Sequence, residues 1–307
     1  MEVESGTKIK LGLLSAFGFM VIVFLGWNTV MLEVESKPLF TSDSLEELDY
    51  FEIEIPDTNI SRELYLNLKA AVAIDNKTGN ILYSHNANEA RPIASITKLL
   101  TAMVVLDSYN PDSIIEITRQ DARRSSKSLF RIGTKVKAKD LLHAALLQSD
   151  NRAARALART VGGSYEKFAE MMNSKAREIG LEHTQMCEPT GLNEKNCATA
   201  GDVARLIVNA MLYYPEIARI TSLKKYEFRP INKNRTIRLI NTNKMVFSKY
   251  KVKAGKTGYI IKSDYCLATV LQNSLGKEIT VVVLGSPGAN TRFREARRLA
   301  NYAFNKI

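Results

Sequence analysis

Histidine is scarce in this 307-residue chain: only His85, His143 and His183 occur, each in a surface-like or packing context. A Ser-His-Asp triad therefore has few candidates and no recognisable flanking pattern. Cysteine is equally rare. Cys187, Cys197 and Cys266 form no C-x-x-C pair, and no histidine cluster stands at zinc spacing, which argues against a metal centre. In an oxidising compartment Cys187 and Cys197 could bridge the loop between them, leaving Cys266 as a thiol in an apolar strand; two buried thiols are the alternative. Proline (8) and glycine (16) are few and apolar residues make up 45%, so the chain is neither fibrous nor disordered and can bury one large core or two modest ones. Internal repeats and low-complexity tracts are lacking too.

Acidic residues are sparse over most of the chain. Residues 33–63 hold ten Asp or Glu against Lys37 and Arg62, whereas residues 64–307 carry 39 Lys or Arg against 20 Asp or Glu. A basic body suits a polyanionic partner: nucleic acid, anionic lipid or carboxylate-rich cell wall. Charge of either sign is missing from Leu11 to Leu32, 22 residues preceded by Lys8 and Lys10. A run of that length spans a bilayer, and the positive flank stays cytoplasmic. The reading is a cytoplasmic tip over residues 1–10, a transmembrane signal anchor over 11–32, an acidic linker over 33–65 and an exported domain over 66–307. A cleaved signal peptide is the rival, but the run is long for one and no small-x-small site follows it. Export sets nucleic acid aside as a partner.

The turn "DNKTGN" between "AVAI" and "ILYS" predicts a β-hairpin. Helical spacing in "SITKLLTAMVVLD", entered after Pro92, puts Ser95 at or near a helix N-terminus. Residues 112–222 read as mostly helical, with Gly180 closing one helix and Thr199/Asp202 opening another. The period then changes. "KVKAGKTGYI", "YCLATVLQN" and "EITVVVLGS" read as successive strands, and a basic amphipathic helix, Thr291 to Phe304, follows. Strands at both ends with helices between them predict an α+β fold: one antiparallel sheet flanked by helices, with an inserted helical lobe.

Three short motifs carry chemistry. In Ser95-Ile-Thr-Lys98 the i, i+3 spacing brings an amine within reach of a hydroxyl, and a desolvated amine of lowered pKa can take the serine proton. Ser149-Asp150-Asn151 follows the helix face "LLHAALL" and so emerges at a helix end facing a cleft. Lys256-Thr257-Gly258 lies within a strand, where Gly258 admits a substrate backbone while Lys256 and Thr257 offer a cation and a hydroxyl to a carboxylate. Each is weak alone. In this order and spacing they form the trio of penicillin-binding proteins and class A β-lactamases.

From Lys69 to Asn305 the chain resembles the low-molecular-mass penicillin-binding proteins, the D-alanyl-D-alanine carboxypeptidase and endopeptidase family, in "IASITKLLTAMVVLD", "DLLHAALLQSDNRAARAL", "EPTGL", "ATAGDVARL" and "KTGY". Within it the chain is most similar to the endopeptidases, because it stops just after the helix that closes the penicillin-binding domain. The resemblance implies a β-lactamase/transpeptidase-like fold, peptidoglycan peptides as substrate, β-lactams as inhibitors and no cofactor. It implies Ser95 as acylated nucleophile, Lys98 as base, Ser149 as proton relay to the leaving amine and Asn151 as holder of the substrate amide. Lys256 and Thr257 would hold the carboxylate, beside Gly258, and the backbone N–H groups of Ser95 and Tyr259 would form the oxyanion hole. Ile260 and Asp264 depart from the family's usual Thr and Gly.

The alternatives are a D-alanyl-D-alanine carboxypeptidase, a class A-like β-lactamase and a non-catalytic penicillin sensor. The β-lactamase would need a deacylating Glu in an E-x-x-L-N loop. "EPTGLN" is one residue too long, so Glu188 reads as a turn-supporting carboxylate.

Overall fold

The computed structural model of the chain describes residues 21–25, 28–32, 64–123 and 128–307. Two compact units are distinguished, residues 1–52 and 53–307. In the first, the described part of the charge-free run is not the expected helix but two antiparallel strands, β1 (Val21–Leu25) and β2 (Asn28–Leu32), with Val21 opposite Leu32. Their β-branched and aromatic residues favour strand, and only Gly26 and Trp27 separate them, a spacing suited to a tight hairpin. Among the described residues no helix is long and apolar enough to cross a membrane. The expectations for residues 1–20 and 33–63 fall outside the described residues.

In the second unit a strict two-residue alternation builds both faces of one sheet. Strands β3 (Ala70–Asp75) and β4 (Ile81–His85) form the expected hairpin; β5 (Arg91–Pro92), β6 (Ile114–Glu116), β7 (Lys135–Lys137), β8 (Cys197–Ala198), β9 (Lys225–Phe228) and β10 (Ile237–Ile240) are short outliers. The three long strands are β11 (Lys251–Ile260), β12 (Asp264–Gln272) and β13 (Glu278–Ser286), as expected. The antiparallel order is β11-β12-β13-β3-β4, so β3, early in the chain, lies beside the last strand, β13. Ala71, Ala73, Leu267, Leu271, Ile279, Val281 and Val283 point to one face, packed against Phe293, Leu299 and Ala303 of the C-terminal helix. Their neighbours Val72, Ile74, Ala268, Val270, Val282 and Leu284 point to the other, joining the larger core of the helical lobe. Burial of both faces explains why these strands read as near-continuous apolar runs.

The helices are α1 (Lys98–Ser108), α2 (Ala138–Leu147), α3 (Asn151–Gly162), α4 (Tyr165–Glu178), α5 (Ala200–Tyr213), α6 (Pro215–Ser222) and α7 (Ala289–Phe304). Every residue of α1 from Lys98 to Val105 is buried, which makes it the central helix of the lobe. Gly180, at φ +70°, ends α4, and the Leu181 N–H returns to the Ala176 carbonyl at 2.8 Å. Thr199 caps α5 by accepting the Asp202 N–H at 3.0 Å. The Asp202 carboxylate, however, turns away to the His183 N–H and the Thr184 hydroxyl rather than closing a box. Among the described residues the packing includes Leu64, whose carbonyl accepts the Tyr83 hydroxyl at 3.2 Å.

Candidate active site

Pro92 ends β5, and the chain enters a 3-10 turn over Ala94–Thr97 before α1 begins at Lys98. With three residues per turn, i and i+3 lie directly over one another. Lys98 Nζ accordingly stands 2.8 Å from Ser95 Oγ. The turn opens on Ala94 at φ +46°, a left-handed conformation unusual for a residue with a Cβ and typical of functional sites. Two neighbours hold it there. A Cβ on Gly191 would lie 1.9 Å from the Ala94 carbonyl oxygen, and one on Gly258 would lie 2.6 Å from the Ile93 carbonyl oxygen and 3.2 Å from the Ser95 nitrogen. No side chain fits at either position, so the 188–193 loop and β11 press on the Ser95 turn from two sides.

The Lys98 amine is fully buried and also touches Asn151 Oδ1 at 2.8 Å and the Thr190 carbonyl at 2.6 Å. Desolvation pushes its pKa down to about 7, with Arg155 adding to the effect and Glu188 and Asp150 opposing it. An amine that sheds its proton near pH 7 beside a hydroxyl is an arrangement that can accept the hydroxyl's proton.

Ser149 is in the left-handed region, φ +61°, in the break between α2 and α3. Its Oγ lies 3.0 Å from Lys256 Nζ, which also reaches the Thr257 carbonyl at 3.0 Å. Lys256 is buried, and desolvation together with the Lys98 and Arg292 charges holds its pKa well below the usual lysine range. It ties the second motif to the third. Thr257 Oγ1 is 2.6 Å from Thr242 Oγ1. Tyr259 is half-exposed and stacks on Tyr265 at a centroid distance of 4.2 Å. Beneath Gly258, Arg292 of α7 donates to the Gly258 and Cys266 carbonyls at 3.0 and 3.1 Å. The three motifs thus meet in one cluster, with Asn151 against Lys98 and Lys256 against Ser149.

Sequence reasoning missed several supports. Asp150 is the N-cap of α3, accepting the Arg152 and Ala153 N–H groups, and it also holds the Ser128 hydroxyl and the Leu129 N–H. An Asp directly before a helical run was a legible cap signal. Glu188 is a turn-supporting carboxylate, as read: it accepts the N–H groups of Thr190, Gly191 and Leu192 and the Thr190 hydroxyl. That network aims the Thr190 carbonyl at Lys98, a backbone contact no side-chain pattern announces. The Cys187–Cys197 bridge is not formed, and all three cysteines are free. The Cys197 thiol turns to the Glu194 carbonyl at 3.1 Å, and the loop is closed instead by Gln185–Cys197 backbone pairing and by Asn196, which accepts the Cys187 N–H and donates to the Glu188 carbonyl.

Comparison with known proteins agrees with this geometry. Residues 58–288 match the D-alanyl-D-alanine carboxypeptidase family, and the chain belongs to it. It is a serine-type D-Ala-D-Ala peptidase. It is 37% identical to a D-alanyl-D-alanine endopeptidase of Pseudomonas aeruginosa over 80% of each chain, and 34% identical to one of Escherichia coli over 76% of each. Among solved structures it resembles the Streptomyces K15 DD-transpeptidase, with a TM-score of 0.74 and 28% identity over 80% of this chain and 100% of that one. The ampicillin-bound penicillin-binding protein D2 of Listeria monocytogenes gives 0.70 and 26% over 80% of this chain and 100% of that one.

Proposed function

We propose that this peptidase cleaves D-alanyl crosslinks of peptidoglycan as an endopeptidase, through an acyl-Ser95 intermediate. The observation that carries the reading is the buried Lys98 amine held between Ser95 Oγ, Asn151 Oδ1 and the Thr190 carbonyl. Lys98 takes the Ser95 proton as Oγ bonds to the D-alanyl carbonyl carbon. The tetrahedral oxygen is held by the Ser95 and Tyr259 N–H groups, and its collapse breaks the C–N bond. Ser149, held by Lys256, gives its hydroxyl proton to the departing amine and regains one from the Lys98 ammonium, which restores Lys98 as a base. Water then gives a proton to Lys98 as it bonds to the D-alanyl ester carbon, and that proton passes to Ser95 Oγ as the C–O bond breaks. Thr257 and its partner Thr242 receive the substrate carboxylate. The basic hairpin of β9 and β10 supports a carboxylate-rich substrate: its segment carries Lys224, Lys225, Arg229, Lys233, Arg235 and Arg238 against a single acid, Glu227, and at its base the Ile240 N–H donates to Oε1 of Gln148, the residue before Ser149.

A carboxypeptidase is the second reading, since relatives include carboxypeptidases such as that of Bacillus subtilis named DacF, 29% identical. Incubation with crosslinked muropeptide dimers and with monomeric pentapeptides, followed by mass analysis, separates the two. Dimers are expected to become monomers. Loss of terminal D-Ala alone would give the carboxypeptidase, and neither reaction would overturn both.

The site is further proposed to lie outside the cytoplasmic membrane, tethered by residues 11–32. Support comes from the charge-free run behind Lys8 and Lys10. In a bilayer a helix satisfies every backbone group of that run, whereas a lone two-stranded hairpin leaves open edges. Protease added to intact spheroplasts is expected to remove the domain; digestion only after lysis would exclude this topology.

A further inference from the structure

One buried charge has no use in the scheme above. Arg155 lies on α3 one turn beyond Asn151, and residues four apart share a helix face, so it stands on the same stripe as the amide that touches Lys98. It is only 8% exposed, its Nη1 is buried without a hydrogen-bond partner, and among the described residues no ion pair reaches it. A charge buried without a counter-charge is destabilising.

Three carboxylates of the lobe and its adjoining loop are already committed elsewhere. Asp121 is chelated by Arg159, the next turn along the same stripe, at 3.0 Å through both oxygens, and it also accepts the Tyr165 and Thr118 hydroxyls. Asp150 is filled by Ser128 and three backbone N–H groups. Glu188 is filled by its own loop.

We propose that Arg155 is a positioning residue for the Ser95–Lys98 pair: its buried guanidinium, with Nη1 unpartnered and no ion pair among the described residues, one turn from Asn151, opposes a second positive charge at the Lys98 amine and so keeps that amine available to the serine proton. This rests on reading Ser95 as nucleophile and Lys98 as base. The groups facing Lys98 are the Ser95 hydroxyl from its own turn, Asp150 and Arg155 from α3, Glu188 from the following loop and Lys256 from β11, the last itself next to Arg292 of α7. Glu188 and Asp150 favour the protonated amine, and burial, Arg155 and Lys256 disfavour it. The sign follows: without the Arg155 charge the balance moves toward the ammonium form, and the acid limb of the reaction moves to higher pH.

The test is the pH dependence of penicillin acylation by the full-length chain, for wild type, Arg155→Met, Arg155→Gln and Arg155→Lys. The Met and Gln variants are expected to shift the acid limb upward by about half a unit to one unit, which is a loss of about three- to tenfold at pH 6, and to converge with wild type at pH 9. Arg155→Lys, which keeps the charge, restores the wild-type limb. Thermal midpoints of the Met and Gln variants stay level or rise. An unmoved limb in the folded Met or Gln variant overturns the proposal. Unfolding of both does so too, since it would mean that the guanidinium holds the lobe together. A wild type that never acylates would instead overturn the reading of Ser95 itself.

Discussion

Ser95→Ala is expected to eliminate both covalent penicillin capture and muropeptide cleavage while leaving the fold intact. Among the described residues the hydroxyl's hydrogen-bond partners are Lys98 Nζ at 2.8 Å and the Thr190 carbonyl at 3.4 Å. Its removal leaves Lys98 bonded to Asn151 and Thr190, so the cost in stability stays near about 1 kcal/mol, the worth of one hydrogen bond. The experiment has a built-in rival, because the cluster contains a second serine–lysine pair, Ser149 with Lys256 at 3.0 Å. Intact-mass measurement after exposure to penicillin decides between them. Wild type and Ser149→Ala should both gain the penicilloyl mass, Ser149→Ala more slowly, and Ser95→Ala should gain none. An adduct that persists in Ser95→Ala and vanishes in Ser149→Ala would transfer the nucleophile to the second pair.

The choice between these pairs was legible in the sequence only in part. Spacing put Lys98 over Ser95, because i and i+3 meet in any helical turn. Nothing local joins Ser149 to Lys256, 107 residues later, and that contact exists only because α2 ends against β11. The long strands and the central helix were readable for the same reason: β11, β12, β13 and α1 each carry an uninterrupted apolar pattern. The two-residue strands β5 and β8 carry no period at all, yet their pairing holds the 188–198 loop beside Ile93 and Ala94. Residues 21–32 show the opposite limit. Val21–Leu25 and Asn28–Leu32 satisfy both a bilayer-spanning pattern and a hairpin pattern, and hydrophobicity alone does not separate them. Lys256 shows what a motif omits: the triplet gives its residue type, while its burial under the cleft, which suppresses its charge, comes from packing against Ser149 and near Lys98 and Arg292.

Lys98→Met should slow penicillin acylation by about a thousandfold, within the range assigned to a positioned general base, and should also remove the acid limb of the pH profile. Methionine matches the length of the buried chain but offers no proton acceptor. In wild type the Lys98 pKa is pushed down to about 7, so below that pH the amine becomes an ammonium ion that cannot take the Ser95 proton. The rate then falls about tenfold for each further pH unit. Above that pH the amine is neutral and the rate is level until another group titrates. Lys256 is the competing source of the same limb, since its amine is also depressed and faces Ser149. The two are separated by the variant itself. With Lys98 as base, Lys98→Met leaves a slow rate that no longer depends on pH between 6 and 8. A surviving limb of unchanged midpoint would assign the titration to Lys256 and make Lys98 a structural partner of Asn151 and the Thr190 carbonyl. The fold should survive in either case, because the substitution removes a desolvated amine at the same time as it frees those two acceptors, at about 1–3 kcal/mol for each left unsatisfied.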